Sequence, residues 1–237
     1  MNQLPQFALE PLPYHMDMIS HLRSREPELW VWFAGRRVSA ERNEAVRLDL
    51  LKSTCRIERA SNPAIYQAAD EAAARLRLVN QPTFYQSERA EGLNASLAYM
   101  PGEAHIVLTG PVTTSLTAAE LRGVIGHEIM HFALLDTWPE YMVATQILAA
   151  MANDRNADSS HLASERLFGL YAEVYCDRAA CAAAGELASA VSALVKIVTG
   201  AADVSADDYI RQTDEIFGKG HPKSEGVTHP ELFIRAK

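Results

Sequence analysis

One predicted helix carries the stretch Thr117-Ala118-Ala119-Glu120-Leu121-Arg122-Gly123-Val124-Ile125-Gly126-His127-Glu128-Ile129-Met130-His131. The Thr117 hydroxyl and the Glu120 carboxylate can each satisfy an amide group of the first turn, so the helix should begin at this capping box. Apolar residues then recur at intervals of three and four, which predicts a buried helix. These residues are Leu121, Val124, Ile125, Ile129 and Phe132.

The pattern H-E-x-x-H inside this helix predicts a metal site. His127 and His131 are four residues apart, so they share one helix face and their imidazoles can bind the same ion. Glu128 lies beside them and can act as the general base toward a water that the metal activates. An amphipathic helix with two solvated histidines is the alternative, but burying this set without a metal or partners would be costly. The pattern therefore favours a zinc hydrolase.

A zinc site of this kind needs a third protein ligand, and the run 164–180 favours a helix that contains the best candidate. Glu173 and Asp177 are four residues apart in that run and share one face. We expect Glu173 to bind the metal and Asp177 to accept a hydrogen bond that orients a ligand histidine. Gly169, one turn before Glu173, should let a second helix approach closely. The rival third ligands are Asp136, Glu140 and Glu165. None of them combines a carboxylate four residues later with a glycine one turn earlier, as Glu173 does.

The metal helix and the pair Glu173-x-x-x-Asp177 resemble elements of one family of zinc peptidases. They look like the active-site helix and the E-x-x-x-D element of the gluzincin family that includes the CAAX prenyl protease and the HtpX-type heat-shock protease. The resemblance covers residues 45–237 and implies a zincin-like fold, one Zn²⁺ ion per chain and peptide hydrolysis. Met130 and Cys176 stand where HtpX-type members have Gly and usually Ala. Larger side chains are therefore expected near the metal helices.

Two further segments extend this resemblance. Asn94-Ala95 and the later run 105–110 look like the family's segment around its edge strand. His229-Pro230, followed by Arg235, is similar to the late His-Pro element, whose histidine is taken to assist the transition state. The pair His221-Pro222 repeats the same dipeptide eight residues earlier, so His221 remains an alternative to His229.

Composition restricts the class of protein. The 237 residues carry a formal net charge of −8, which disfavours nucleic acid or an anionic membrane surface as the main partner. No stretch approaches the roughly 20 apolar residues of a membrane span, and no signal peptide is evident. The cysteines Cys55, Cys176 and Cys181 form an odd, unpatterned set, which suits a reducing compartment. These features predict a cytoplasmic enzyme.

We expect an α+β fold, mainly helical, with a small β-sheet packed beside the H-E-x-x-H helix. A metallopeptidase domain of residues 45–237 would follow an N-terminal extension of residues 1–44, in which Leu29–Phe33 is interpreted as core packing rather than a self-association surface. The strand candidates are Thr83–Gln86, Ala95–Tyr99 and His105–Leu108. Helices are predicted from Ser39 to about Ala60 and from Pro63 to about Leu78, and then over 139–151, 162–184, 187–198 and 206–218.

The resulting hypothesis is a zinc-dependent endopeptidase in which His127, His131 and Glu173 bind the metal and Glu128 is the general base. His229 would stabilise the oxyanion if the resemblance holds. An edge strand near His105–Leu108 could hold a peptide or protein substrate as an added strand. Two alternatives stay open: a latent or inactive peptidase scaffold with a regulatory role, and a metal-dependent hydrolase of non-peptide amides.

Overall fold

The computed structural model describes residues 10–35, 40–79, 81–88, 92–220, 222–226 and 229–237. The fold is α+β and mainly helical, with one four-stranded mixed sheet. Its strands are β1 (Thr54–Ile57), β2 (Thr83–Ser87), β3 (Asn94–Met100) and β4 (Glu103–Thr109). Its helices are α1 (Pro13–Arg25), α2 (Pro27–Ala34), α3 (Ala40–Ser53), α4 (Pro63–Leu76), α5 (Val112–Ser115), α6 (Ala118–Thr137), α7 (Pro139–Ala152), α8 (Ser159–Ala184), α9 (Leu187–Thr199), α10 (Ala206–Gly218) and α11 (Leu232–Arg235).

The strands lie in the order β1-β2-β4-β3. β2 and β4 run parallel, whereas β1 with β2 and β3 with β4 are antiparallel. β4 therefore lies inside the sheet, and β3 forms the edge nearest to α6. The expectation that His105–Leu108 is an edge strand is wrong, because this segment pairs on both sides, with β2 and with β3. Hydrophobic pattern shows that a strand is buried but does not show which neighbours pair with it.

The main core fills the space between the sheet and the helices. Phe84, Ile106 and Leu108 project from the sheet into this core and are fully buried. Ile125 and Ile129 of α6 meet them from the helical side. On the other face of the sheet, a smaller cluster joins α3 to β2 and β3 through Leu50, Tyr85 and Met100. The sheet is thus covered on both faces, and α6 is buried against one of them, as predicted.

Local sequence explains where most helices begin and end. Proline stands in the first turn of α1, α2, α4 and α7, where its missing N–H costs nothing and its fixed φ suits a helix. The long helix α8 has 26 residues and ends at Gly185, which has a φ of 90°, as a C-terminal glycine predicts. Among the described helices, none combines the length and the apolar character needed to span a lipid bilayer.

The helix expected to run to about Ala60 is shorter than predicted. α3 ends at Ser53, and the chain continues directly into β1. Pairing with β2 and a hydrogen bond from the Tyr66 hydroxyl to the Ile57 carbonyl, 2.7 Å long, hold this segment extended. Tertiary pairing therefore overrides the local helical pattern. Ser39, proposed as the cap of this helix, lies outside the described residues.

The N-terminal helices pack on the opposite side of the helical layer from the sheet. α1 and α2 contact α7, and α1 also contacts α8. Trp30 and Phe33 are buried in the main core, so core packing holds for these two rings. Val31 and Trp32 are 72% and 57% exposed. The apolar run 29–33 therefore has one buried face and one solvent-facing side.

Candidate metal centre

The predicted capping box is present at the start of α6. The Glu120 amide donates to the Thr117 hydroxyl over 3.3 Å, and the Thr117 amide donates to the Glu120 carboxylate over 2.7 Å. The same carboxylate accepts hydrogen bonds from Ser192 and from Lys196 of α9, at 2.5 and 3.0 Å. Because Glu120 is buried, these bonds satisfy a charge that would otherwise be costly to remove from water. They also fix the N-terminal end of the metal helix against α9.

Two glycines of α6 allow α8 to approach closely. A Cβ at Gly126 would lie 2.4 Å from the Cβ of Ala183, and one at Gly123 would lie 3.3 Å from the Ala180 carbonyl oxygen. Gly169 does not serve this purpose, since no heavy atom lies within 4 Å of the position its Cβ would take. The close approach was therefore expected on the wrong helix. The close approach of α6 and α8 brings Glu173 of α8 opposite the histidines of α6.

Donor atoms of three side chains, His127, His131 and Glu173, form a small cluster between α6 and α8, here named the donor triangle. The Nε2 atoms of His127 and His131 are 3.1 Å apart. The Glu173 carboxylate oxygens lie 3.2 Å from Nε2 of His131 and 3.4 Å from Nε2 of His127. Ligand atoms about 2.0–2.1 Å from a tetrahedral zinc ion are roughly 3.3 Å from one another. The spacing and chemistry of this set therefore suit a metal ion.

Charge in the cluster also favours a bound cation. Oε2 of Glu173 is buried and makes no hydrogen bond with the described residues. Burial lowers the pKa of His127, but the Asp177 and Glu173 carboxylates outweigh burial and raise this pKa to about 10. Burial raises the pKa of Glu173, yet the His127 and His131 imidazoles hold it far below its usual range. The carboxylates thus create a site that strongly prefers positive charge, as a metal site must.

The Asp177 carboxylate contacts His127 at Nδ1, the ring nitrogen that does not face the donor triangle. This carboxylate lies 3.1 Å from Nδ1 of His127, which leaves Nε2 directed at the donor triangle. Arg235 donates two hydrogen bonds of 2.7 Å to the same carboxylate. Burial raises the pKa of Asp177, but Arg235 and His127 lower it below its usual value. Such support fixes the tautomer and direction of a ligand imidazole.

Glu128 lies at the junction of α6 and the sheet. Its side chain is nearly buried, at 8% exposure, and burial raises its pKa. The backbone of Leu97 on β3 lies close enough to this carboxylate to oppose part of that rise. The candidate base therefore lies against the edge strand of the sheet. Sequence patterns gave no indication of this contact, because it involves a backbone group.

Comparison with known families agrees with this geometry. The model described as Peptidase family M48 matches residues 59–237, well over half of the chain. The chain belongs to peptidase family M48. This M48 assignment confirms the resemblance to the CAAX prenyl protease and HtpX-type peptidases. No curated protein and no solved structure matches the chain.

The M48 chain brings His229 to the metal centre from its C-terminal segment. Nε2 of His229 lies 3.3 Å from Oε2 of Glu173, and burial lowers its pKa. Arg166 of α8 donates to the Gly226 carbonyl over 2.6 Å and to the Ser224 carbonyl over 2.7 Å. The sequence did not predict this contact of Arg166, because side-chain spacing cannot show a hydrogen bond to a backbone carbonyl. The rival His221 lies outside the described residues.

The rival third ligands of the M48 chain lie elsewhere. Asp136 accepts a 2.8 Å hydrogen bond from the Gly102 amide, and Glu140 pairs with Arg23. Glu165 is exposed on α8. Among the described residues, the group of side chains that could hold a metal ion consists of His127, His131 and Glu173.

Proposed function

We propose that this M48 chain is a zinc-dependent endopeptidase. The observation that carries the proposal is the donor triangle of His127, His131 and Glu173 with the Glu128 carboxylate beside it. These three residues would hold one Zn²⁺ ion per chain. When bound, zinc would polarise a substrate carbonyl and lower the pKa of an attacking water toward about 7.

Glu128 supplies the proton transfers in the proposed reaction. Its carboxylate accepts a proton from the water that attacks the carbonyl carbon and then delivers this proton to the leaving amine. Burial raises the pKa of Glu128, which makes it a better base than a solvated carboxylate. His229, beside Glu173, would donate a hydrogen bond to the developing oxyanion.

The edge strand β3 is the proposed seat for the peptide backbone. β3 pairs with β4 on one side, and its Leu97 backbone contacts Glu128 on the other. An extended peptide that adds to this edge would have its main chain held beside the candidate base. This arrangement favours a peptide or protein substrate over other amides.

The two alternative functions differ in what now supports them. The latent-scaffold alternative rested on the large side chain of Met130, which is fully buried in the main core, as is that of Cys176. Their side chains therefore fill the core, and the latent-scaffold alternative loses its main support. Hydrolysis of non-peptide amides would use the same catalytic set, so a screen of products is needed to distinguish it.

We also propose that the enzyme works in a reducing compartment, the cytoplasm. Cys55 is an exposed free thiol, Cys176 is buried and free, and Cys181 is partly buried and free. Disulfides persist in oxidising compartments and are rare in the cytosol. The state of these thiols in protein recovered from cells, measured by alkylation and mass spectrometry, tests this assignment.

Substitution of the candidate base tests the function directly. Glu128→Gln should keep zinc, because Glu128 is not a ligand, and should lower peptide hydrolysis by about a hundredfold or more. Glu165→Gln, an exposed carboxylate on α8, is the matched control and should retain activity. Zinc content is read by elemental analysis and hydrolysis by peptide digestion. Retention of most activity by Glu128→Gln would refute the proposal.

A second substitution tests His229. His229→Ala should keep zinc and folding but lower kcat by about a hundredfold, with a smaller change in KM, because the oxyanion forms only during reaction. His221→Ala should have little effect. If His221→Ala carries the defect, or if His229→Ala loses zinc, the role assigned to His229 is wrong.

A further inference from the structure

The hairpin of β3 and β4 is attached to α6 at its tip. The two strands are joined by a tight turn in which Gly102 has a φ of 77°. The Gly102 amide donates a 2.8 Å hydrogen bond to the Asp136 carboxylate, and the Tyr99 hydroxyl donates to the same oxygen over 3.4 Å. Asp136 is the last residue but one of α6. One side chain of the metal helix therefore binds both the end of the edge strand and the turn that follows it.

The ring of Tyr99 adds a packing contact to this attachment. It lies against Phe132 of α6, with the ring centroids 5.8 Å apart, and Phe132 directly follows the proposed ligand His131. Burial and the Asp136 charge raise the pKa of Tyr99 to about 12, so at neutral pH its hydroxyl keeps the proton that it donates. The contact thus joins β3 to the part of α6 that follows the metal ligands.

The position of β3 relative to α6 depends on contacts between the strand and the helix. Among the described strands, β3 pairs with β4 alone, and its residues 97–99 are only partly buried. The Leu97 backbone lies beside Glu128, and Asp136 is about 12 Å further along the helix axis. Two attachments this far apart fix both the distance and the angle between strand and helix. With the first attachment alone, the tip of the hairpin could swing away from α6.

We propose that Asp136 is a positioning residue for peptide binding, which holds the hairpin tip against the metal helix and keeps the β3 backbone in register with the metal centre. The inference rests on the proposed peptidase function, in which β3 binds the peptide backbone. A preorganised edge binds an extended chain without first losing conformational freedom. Loss of the Asp136 carboxylate should therefore weaken binding of ligands that pair with β3, but not of ligands that reach only the metal.

Three hydroxamates test this inference without turnover. Acetohydroxamate reaches only the zinc ion. Two tetra-alanine probes carry the hydroxamate at the C-terminus or, through a succinyl linker, at the N-terminus, so that either chain direction can pair with β3. Calorimetry on the zinc-loaded protein should show that one tetra-alanine probe binds at least about tenfold tighter than acetohydroxamate. Asp136→Ala should reduce this advantage about fivefold and leave acetohydroxamate binding unchanged.

Two further variants separate positioning from a general loss of stability. Asp136→Asn keeps a carbonyl oxygen that can accept from the Gly102 amide, so it should retain most of the advantage of the tetra-alanine probe. Thr213 is fully buried in α10, and Thr213→Ala should lower Tm without changing that advantage. Circular dichroism and zinc content establish that each variant is folded and loaded.

Hydrogen exchange of the ligand-free protein gives an independent measurement. With Asp136→Ala, mass spectrometry should show faster exchange of the backbone amides in residues 94–103, because the hairpin tip has lost its attachment. Peptides that cover β1 should keep their exchange rates. Unchanged exchange in residues 94–103 would contradict the positioning role.

The binding results distinguish this inference from the proposed function. If Asp136→Ala keeps the full advantage of the tetra-alanine probe, or weakens acetohydroxamate equally, Asp136 does not position β3. If neither tetra-alanine probe binds tighter than acetohydroxamate to the unmodified protein, β3 does not hold a peptide and the inference is wrong. An advantage that Asp136→Ala reduces, in a protein that cleaves no peptide, supports the positioning role and refutes the proposed peptidase function.

Discussion

Asp177 links the metal centre to the C-terminal segment. Its carboxylate contacts Nδ1 of His127 and also accepts both hydrogen bonds from Arg235. Loss of its charge would leave Arg235 without its bidentate partner and His127 without its orienting acceptor. We therefore propose that Asp177 affects the metal affinity without binding the metal.

Asp177→Asn should weaken zinc binding by about 10- to 100-fold, because a neutral amide orients the imidazole less well. Competition with a chromogenic chelator measures this affinity. Asp203→Asn, in an exposed position, serves as the control and should leave the affinity unchanged. Equal affinity in the Asp177 variant and the unmodified protein would contradict the orienting role.

His15 is a second residue whose environment can be tested. It is fully buried in α1, with Nε2 3.1 Å from the Phe168 carbonyl oxygen and its ring against Tyr141 and Phe168. Burial lowers the pKa of His15, although the hydrogen bond to Phe168 opposes this shift. The folded protein therefore binds a proton at His15 less readily than the unfolded chain.

This difference predicts a loss of stability in mild acid. Above a pH of about 6.5, the pKa of histidine in an unfolded chain, burial of neutral His15 does not reduce stability. The free energy of unfolding should fall as the pH decreases from that value toward the lower pKa that His15 has in the folded protein. His15→Gln should show a smaller fall between about pH 7 and pH 5 than the unmodified protein. Urea unfolding at each pH, with a chelator present, measures the free energy of unfolding. His21→Gln, on the exposed side of α1, should keep the full pH dependence, and an unchanged slope in His15→Gln would refute the prediction.

At the scale of elements, α8 carries several parts of the site on one rigid helix. Glu173 and Asp177 lie one turn apart, and Arg166 lies about two turns before Glu173. Through the Ser224 and Gly226 carbonyls, Arg166 holds the segment that delivers His229. A Cβ at Gly226 would lie 1.9 Å from the His229 carbonyl oxygen, so Gly226 and His229 approach each other closely.

Arg166→Met should lower kcat by roughly tenfold or more with little change in KM or zinc content, because it releases the segment that carries His229. Arg166→Lys should recover part of the activity, since lysine can still donate to one of the two carbonyls. Steady-state kinetics and elemental analysis provide the measurements. The exposed Arg155 offers the control Arg155→Met, and equal kcat in both methionine variants would exclude a positioning role for Arg166.

The sequence predicted the elements that local pattern determines. The capping box and apolar spacing located α6, and prolines and Gly185 located the ends of other helices. Spacing of four also identified the residues of the donor triangle and Asp177. The sequence did not predict β1 or the edge position of β3, because strand order depends on pairing between distant segments. The contacts of Arg166 and of the Leu97 backbone were missed for a similar reason, since each of them joins a side chain to a main-chain group.

The whole molecule should gain stability from the metal. The proposed ligands come from α6 and α8, which are separated along the chain by α7. Because only folding brings these ligands together, zinc would bind the folded chain far better than the unfolded chain. Free zinc at a hundred times its dissociation constant adds about 2.7 kcal/mol to the free energy of unfolding. For a chain of this size, that corresponds to a rise in Tm of roughly 5–10 °C.

Differential scanning fluorimetry with and without zinc measures this rise. Glu173→Gln should remove most of it, because one of the three proposed ligands is weakened. Asp136→Asn provides the control, since Asp136 contacts the Gly102 amide and not the donor triangle. A full zinc response in the Glu173 variant would show that the ion binds elsewhere.

The two outer strands of the sheet differ in how they would meet another polypeptide. β1 has only four residues and includes Arg56, features that discourage edge-to-edge association. β3 has seven residues, Asn-Ala-Ser-Leu-Ala-Tyr-Met, with neither a charge nor a proline, and such a segment is prone to recruit other extended chains. The edge that we propose for substrate binding would thus also expose the protein to aggregation. The enzyme would be most vulnerable when partly unfolded copies of itself compete with substrate for that edge.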